Sequence, residues 1–283
     1  GSRMFIEPGK EVTIEQLING LIVQSGNDAS IALAEAIAGS EEIFVRMMNK
    51  EARKLGMKDT NFTNSSGLPN SEHYTTAYDL TLLVSDMIRR FPEHYPLYAL
   101  REYTYNKISQ SNRNRLLWLD PNVDGLKTGY TKSAGYCLVA SAKRNNRRLI
   151  SIVLGAKSDS VRTVESQRLL NYGFLSYETV RAFRKGQRVT TIELWKGQKE
   201  TLKTGFNHDL YFSFPKGQGS KLKATMEYKQ PLIAPIKLGQ RVGMVKFIFD
   251  GKEMGKYPLV ALESIGSSNF LSRAWDEILL LAN

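Results

Sequence analysis

Two short stretches hold residues whose types and spacing suit acyl-transfer chemistry. The run Asp124-Gly125-Leu126-Lys127-Thr128-Gly129-Tyr130-Thr131 sets a lysine, a hydroxyl and a glycine in tandem at what reads as the opening of a strand. Lysine supplies a positive charge, threonine a hydroxyl donor, and glycine an uncovered backbone for close approach, so K-T-G can receive a ligand carboxylate. Much earlier, Ser25-Gly26-Asn27 places a hydroxyl and an amide two positions apart. S-x-N and K-T-G are two of the three elements of one serine acyl-transfer site, and S-x-x-K is the third. In S-x-x-K the serine and lysine lie one helical turn apart, so the lysine can take the serine proton. Ser213-Phe214-Pro215-Lys216 and Ser220-Lys221-Leu222-Lys223 match that pattern, but both sit in strand-like text, and Pro215 excludes a helix from the first. Lys203-Thr204-Gly205 and Ser267-Ser268-Asn269 are likewise read as chance recurrences. An isolated S-x-N is more often a helix–helix turn with two capping side chains, so the weight of Ser25 and Asn27 rests on their context.

That context begins with the elements around them. Residues 5–12 read as extended, with a Pro8-Gly9 turn. Thr13-Ile14-Glu15-Gln16 is a capping box before a helical run over 14–23, and Asp28 is a candidate N-cap for a helix over 29–38. Ser25 and Asn27 therefore fall on a short connector between helices, a rigid base for chemistry. Further helices are expected over 41–55 and over 77–90, the latter capped by Thr76 and stopped by Pro92. A polar loop over 59–74 separates them. Residues 102–108 alternate as a strand, and Asn112-Arg113-Asn114-Arg115 is a polar patch before Leu116-Leu117-Trp118. Residues 136–142 and 149–154 read as one hairpin closed by the basic turn 143–148, which is expected to be solvated. A helix over 158–172 is expected to turn Val161, Val164, Leu169 and Leu170 inward.

After residue 178 the text changes to short β-like runs broken by glycine and proline, which suggests a small all-β module over 179–266. From 267 to 283 helical periodicity returns, with Phe270, Leu271, Ala274, Trp275, Ile278 and Leu279 on one face. Such a helix fits either a bilayer interface, with tryptophan at headgroup depth, or docking on its own domain.

With 283 residues the chain has room for about two domains. Its formal net charge of +11 favours anionic surfaces: nucleic acid, anionic lipid or anionic cell-wall polymer. The basic residues are spread along the chain without an aromatic RNA-binding signature, so no nucleic-acid partner is expected. The single cysteine, Cys137, excludes an internal disulfide, and His73, His94 and His208 show no metal-ligand spacing. No metal and no cofactor are expected. No stretch reaches the roughly 20 apolar residues of a membrane span. The opening Gly1-Ser2-Arg3-Met4 reads as a cloning remnant or the interior of a longer polypeptide.

Gln24-Ser25-Gly26-Asn27-Asp28-Ala29 and the Lys127 stretch, followed by Ala134-Gly135-Tyr136 and Leu138-Val139-Ala140-Ser141-Ala142, closely resemble the low-molecular-mass penicillin-binding proteins, the periplasmic D-alanyl-D-alanine carboxypeptidases. Met4-Phe5, Pro8-Gly9, Asn112-Arg113-Asn114, Leu116-Leu117-Trp118, Asn122-Val123-Asp124-Gly125 and Gly173-Phe174 extend the likeness over essentially the whole chain. The resemblance implies an α+β fold: a penicillin-binding, transpeptidase-like domain of helices and antiparallel sheet over 1–178, the all-β domain, and an amphipathic membrane-anchor helix. It implies a peptidoglycan stem peptide ending in D-Ala-D-Ala as substrate, β-lactam antibiotics as mimics, and a periplasmic protein held peripherally to the bacterial inner membrane.

The resemblance also implies roles. The nucleophilic serine and its lysine base stand on a helix upstream of S-x-N, outside this chain, so the chain alone is expected to be inactive. Ser25 would relay a proton to the leaving amine. Asn27 would bind the substrate amide and orient the lysine base. Lys127 would keep the local field positive. Thr128 and Gly129 belong to the substrate-binding K-T-G, and Thr128, with Arg162 and more weakly Arg113, would grip the terminal carboxylate. Either arginine reads equally well as a structural ion pair. The Tyr130 N–H would form half of an oxyanion hole. Many relatives carry histidine where Tyr130 stands, a departure that bears on deacylation. Glu72 and His73 are given no catalytic part. Two other readings stay open: a β-lactamase or endopeptidase relative, and a non-catalytic peptidoglycan-binding or scaffold fragment.

Overall fold

The structure is a computed structural model, and residues 1–269 are described. The expected C-terminal helix lies outside the described residues from position 270 onward. The chain divides into two compact units, Gly1–Phe174 and a second one that starts at Leu175.

The first unit opens as the sequence suggests. The Thr13 hydroxyl accepts the Gln16 N–H while the Gln16 side chain accepts the Thr13 N–H, which fixes the start of α1, Ile14–Asn19. One π-helical turn, Gly20–Gln24, continues it. Then follow α2 (Asn27–Ala38), α3 (Glu41–Leu55, capped by Ser40) and α4 (Ala77–Arg90, capped by Thr76). Gly26, rather than Asp28, is the N-cap of α2. The Asp28 carboxylate is spent elsewhere: it accepts the N–H groups of Met4, Phe5 and Ile6, tying the first strand-like residues to the helix start. A 3-10 turn, Tyr95–Ala99, leads to the expected strand over 102–108, which is a hairpin instead. Asn106 and Lys107 both take positive φ, 50° and 63°, and so reverse the chain between β1 (Glu102–Tyr105) and β2 (Ile108–Ser111).

After a one-turn helix, α5 (Leu116–Leu119), come β3 (Val123–Thr131), β4 (Gly135–Arg144) and β5 (Arg147–Ala156) in one antiparallel sheet of that order. The basic turn expected over 143–148 shrinks to Asn145 and Asn146, at φ 48° and 63°. Its arginines are therefore strand residues, and all three are half-buried and engaged: Arg144 reaches Asp120 at 2.5 Å, Arg147 donates to Gly173 O and Arg148 reaches Asp124 at 2.6 Å. α6 (Asp159–Ser176) packs on the sheet through Leu170, which joins Leu116, Leu117, Val123, Leu138, Ala140 and Ala142 in one core. Phe174 packs on the same core, and the rest of the buried face is polar. Arg162, Thr163 and Ser166 are buried, while Val161, Val164 and Leu169, expected inward, are exposed. The need to bring Arg162 under the sheet outranks apolar periodicity here.

The second unit is all-β. Its strands are β6 (Tyr177–Phe183), β7 (Arg188–Glu193), β8 (Thr201–Gly205), β9 (Leu210–Pro215), β10 (Leu222–Tyr228), β11 (Arg241–Phe249) and β12 (Lys252–Ala261). Five of them form a sheet in the order β10-β11-β12-β8-β7, and β6 pairs with β9. Phe206, Phe212, Phe214 and Phe247 dominate the core between them. Aromatic pairs at 4.6–6.2 Å, such as Phe212–Phe247 and Phe206–Phe247, give it specific packing.

Candidate active site

The sheet and the α1–α2 connector meet in the first unit. Ser25 ends the π-helical turn in the left-handed region, φ 56° and ψ 40°, with its N–H bonded to Gly20 O. A serine held there costs on the order of 1–3 kcal/mol, a strain that concentrates at functional sites. Gly26 follows in a slot where a Cβ would lie 2.9 Å from Asp28 Oδ1 and 3.0 Å from Met4 N. Asn27 is the first residue of α2.

From the other side, Lys127 of β3 donates through Nζ to Ser25 Oγ in a close contact, and to Thr128 O at 3.0 Å. The two stretches picked out by residue type thus converge although 102 positions separate them. The Lys127 ammonium is short of water, and Arg113 and Arg162 add like charge, so its pKa falls to about 8. A lysine near neutrality, touching a hydroxyl, can both polarise it and exchange a proton with it. Thr128 is buried, and its hydroxyl has no hydrogen-bond partner among the described residues. Among those residues β3 pairs only with β4, so no strand occupies the other edge of the K-T-G strand.

Arg162 lies against the β3–β4 pair. It is only 5% exposed, and its guanidinium donates to Gly129 O at 3.2 Å, to Cys137 O at 3.3 Å and to Asp159 at 2.5 Å. It therefore clamps β3 to β4, and it also faces the Tyr136 ring at 5.5 Å. Exposed Tyr130 stacks on Tyr136 with ring centroids 4.3 Å apart. Arg113 donates to the Ser2 hydroxyl at 2.5 Å, and Asn27 N–H to Ser2 O at 2.9 Å, so Gly1 and Ser2 lie between Arg113 and the S-x-N turn. A cavity of about 660 Å³ opens beside Asn27 and Asp28, with Ile31 and Leu68 in its wall.

Other side chains position this site through contacts that no motif shows. The Asp124 carboxylate, at the head of β3, accepts both Arg148 amines at 2.6 Å and the Tyr95 hydroxyl at 3.3 Å. Arg148 also reaches Ser141 Oγ at 2.6 Å. Burial pushes the Tyr95 phenol up, so it stays a neutral donor. Gly125 passes so near that a Cβ would fall 2.6 Å from Tyr95 Oη. Fully buried Asn114 donates to Gly125 O at 2.9 Å and is held in turn by Asn112, whose Oδ1 accepts its N–H. The Asn112-Arg113-Asn114 run is a visible signal, but polarity suggests surface, and only Arg113 is exposed. In the 59–74 loop, His73 contacts Thr63 Oγ1 at 3.1 Å and burial lowers its pKa. The Glu72 carbonyl accepts from Asn61. Both serve the loop itself.

Comparison with known proteins decides the family. The sequence profile described as D-alanyl-D-alanine carboxypeptidase matches residues 1–158. The chain belongs to the D-alanyl-D-alanine carboxypeptidase family. A second profile, the C-terminal domain of penicillin-binding protein 5, matches residues 177–267. Within the family the chain is 43% identical over 281 residues to the D-alanyl-D-alanine carboxypeptidase DacC of Escherichia coli K12, covering 99% of this chain and 70% of that protein. It is 37% identical to DacF of Bacillus subtilis over 278 residues, covering 96% of this chain and 71% of the relative. Among solved structures, penicillin-binding protein 5 of Haemophilus influenzae superposes with a TM-score of 0.87 at 41% identity, covering 94% of this chain and 78% of that one. The family's fold, a mixed α/β penicillin-binding domain followed by an all-β domain, is the one described above.

Proposed function

We propose that this chain supplies two of the three catalytic elements of a serine-type D-Ala-D-Ala carboxypeptidase. The reaction trims peptidoglycan stem pentapeptides through an acyl-enzyme that β-lactams also form. The observation that carries this is the contact of the Lys127 ammonium with Ser25 Oγ beside a strand with one open edge. The third element, an S-x-x-K helix, comes from outside these 283 residues. Ser213–Lys216 and Ser220–Lys223 belong to strands and a 3-10 turn of the second unit, where serine and lysine are not a helical turn apart.

In this reading the nucleophilic serine attacks the penultimate carbonyl, its lysine takes the proton, and the C–N bond breaks as Ser25 passes a proton to the departing D-alanine. Water then releases the shortened peptide by the reverse proton route. Lys127, near its pKa at neutral pH, polarises Ser25 and holds negative charge as it develops. Asn27 orients substrate amide and lysine base. Thr128 Oγ1, without an internal partner, binds the terminal carboxylate at the K-T-G edge that Gly129 leaves uncovered. The Tyr130 N–H donates to the oxyanion. Arg162 contributes chiefly by holding Gly129 and by its charge, since its amines are engaged with backbone and Asp159. Arg113, more exposed, is the freer carboxylate ligand. Placement in the periplasm, attached through the C-terminal helix to the inner membrane, belongs to the same proposal; no helix among the described residues is long and apolar enough to cross a membrane.

Labelling with a fluorescent penicillin tests the reading. The 283 residues alone should stay unlabelled, whereas a polypeptide that joins them to an S-x-x-K segment should be labelled and should release D-alanine from a D-Ala-D-Ala peptide. Labelling of the 283 residues by themselves overturns the placement of the nucleophile.

A further inference from the structure

The second unit presents a strand that nothing else among the described residues covers. β10, Leu222–Tyr228, is the terminal strand of its sheet and pairs only with β11. Every residue from Lys223 to Tyr228 is exposed, including Met226 at 40% and Tyr228 at 39%. The edge is seven residues long and bears no proline, bulge or covering loop, although proteins usually blunt such an edge with one of these.

Its sequence, Leu-Lys-Ala-Thr-Met-Glu-Tyr, is self-complementary when reversed about its midpoint, Thr225. Two copies related by a two-fold axis normal to the sheet pair antiparallel, and each residue then keeps its own face. Only residues separated by an even number of positions can stand opposite one another. With the axis at Thr225, Lys223 stands opposite Glu227 of the second copy, and Glu227 opposite Lys223. Ala224 then meets Met226, and Leu222 meets Tyr228. One face of the joined ribbon thus carries two opposite-charge pairs. The other carries apolar pairs that continue the Val245 and Phe247 rows, since Met226 and Ala224 are in register with those two residues on β11. Neither Lys223 nor Glu227 has an ion-pair partner among the described residues, while the nearby Lys246 is already engaged by Glu253 at 3.0 Å.

We infer that β10 is a homotypic docking edge, at which two copies of this chain join their five-stranded sheets across a two-fold axis through Thr225. The pairing uses residues of the second unit alone, so it stands or falls independently of the catalytic reading. Its charge pattern also favours this register: a shift by two positions sets Lys223 either against Lys229 or against Thr225, and in the latter case Glu227 meets Lys221, which lies outside β10 and already faces Asp250 at 3.5 Å.

Sedimentation equilibrium of the full 283-residue chain over a range of concentrations tests this directly. The chain should show a reversible monomer–dimer equilibrium. Lys223→Glu and Glu227→Lys should each weaken it about tenfold, because each turns two attractive cross-strand pairs into repulsive ones. The double reversal, Lys223→Glu with Glu227→Lys, should restore it. In a Cys137→Ser background, Thr225→Cys should form a disulfide-linked dimer under oxidation, and Thr191→Cys on the opposite edge, β7, should not. The substituted positions of β10 are solvent-exposed, so unchanged thermal midpoints will show that the variants fold. A chain that remains monomeric at every concentration overturns the inference. So does a dimer that ignores the single reversals, or one the double reversal fails to restore.

Discussion

The chain contains two Lys-Thr-Gly tripeptides, both on β-strands, and only one is built into a site. On β8, Lys203 is exposed and Thr204 is fully buried, its hydroxyl donating to Thr190 O at 3.1 Å. Gly205 is wedged so that a Cβ would lie 2.3 Å from Gln187 O, and β8 is flanked by β7 and β12. Every polar group of that tripeptide is used by the fold or faces bulk water. On β3 the arrangement is reversed. The lysine is withdrawn from water and touches a second motif, the threonine hydroxyl has no internal partner, and the strand has a free edge. The motif therefore acquires chemical meaning from three physical conditions: a desolvated cation, an unspent hydroxyl and a strand edge that no other strand occupies.

Removing the two lysines should break this comparison most visibly. In a polypeptide that carries the S-x-x-K segment, Lys127→Ala should slow acylation by penicillin by about 10²–10³, the usual loss for a group that stabilises developing charge. Lys203→Ala should change the rate by no more than about twofold. Labelling time courses check both, and equal effects would remove the distinction. The next largest effect is on stability. A half-buried lysine whose ammonium is short of water, and whose pKa falls from 10.5 to about 8, gives up part of its preferred charged state on folding. Between those values the unfolded chain binds the extra proton, so stability rises with pH from about 8 to 10.5, and the cost of Lys127 is full below about 8. Lys127→Met should accordingly raise stability by about 1–3 kcal/mol at pH 7, with the gain shrinking through that window. Urea unfolding of the 283-residue chain at several pH values measures it. Lys203→Met should show no such pH-dependent gain.

What could be seen in the sequence follows the same division. Caps and apolar periodicity located α3 and α4 to the residue, and capping-box chemistry located α1, because those signals are local. Spacing and context singled out Ser25, Asn27 and Lys127. The supports were hidden because they depend on pairings between distant residues. Asp124 and Arg148 are ordinary charges until a two-residue Asn145-Asn146 turn lays β5 against β4, so that the Arg148 side chain reaches across β4 to Asp124 of β3. Asn114 looks like a surface residue until its amide is found on Gly125 O. α6 misled for a related reason: its buried face is chosen by Arg162 reaching Gly129 and Cys137, so Val161 and Val164 are turned out. In the second unit β8 carries the second K-T-G, which context set aside; its threonine hydroxyl is spent on Thr190 O and its lysine is exposed.

The threonines give the smallest and sharpest contrast. Thr204→Val keeps the shape but leaves Thr190 O without its donor inside the fold, a loss of about 1–2 kcal/mol that should lower the urea midpoint of the second unit. Thr128→Val removes a hydroxyl with no internal partner among the described residues, so the midpoint of the first unit should move by less than about 0.5 kcal/mol. Its effect should fall on ligand capture. In the S-x-x-K-bearing polypeptide the KM for a D-Ala-D-Ala peptide should rise, whereas an amidated C-terminus, which has no carboxylate to hold, should be processed alike by Thr128 and its valine variant. If instead Thr128→Val lowers the unfolding midpoint as much as Thr204→Val does, the hydroxyl is part of the fold, and the carboxylate must be held by Arg113 or Arg162 without it.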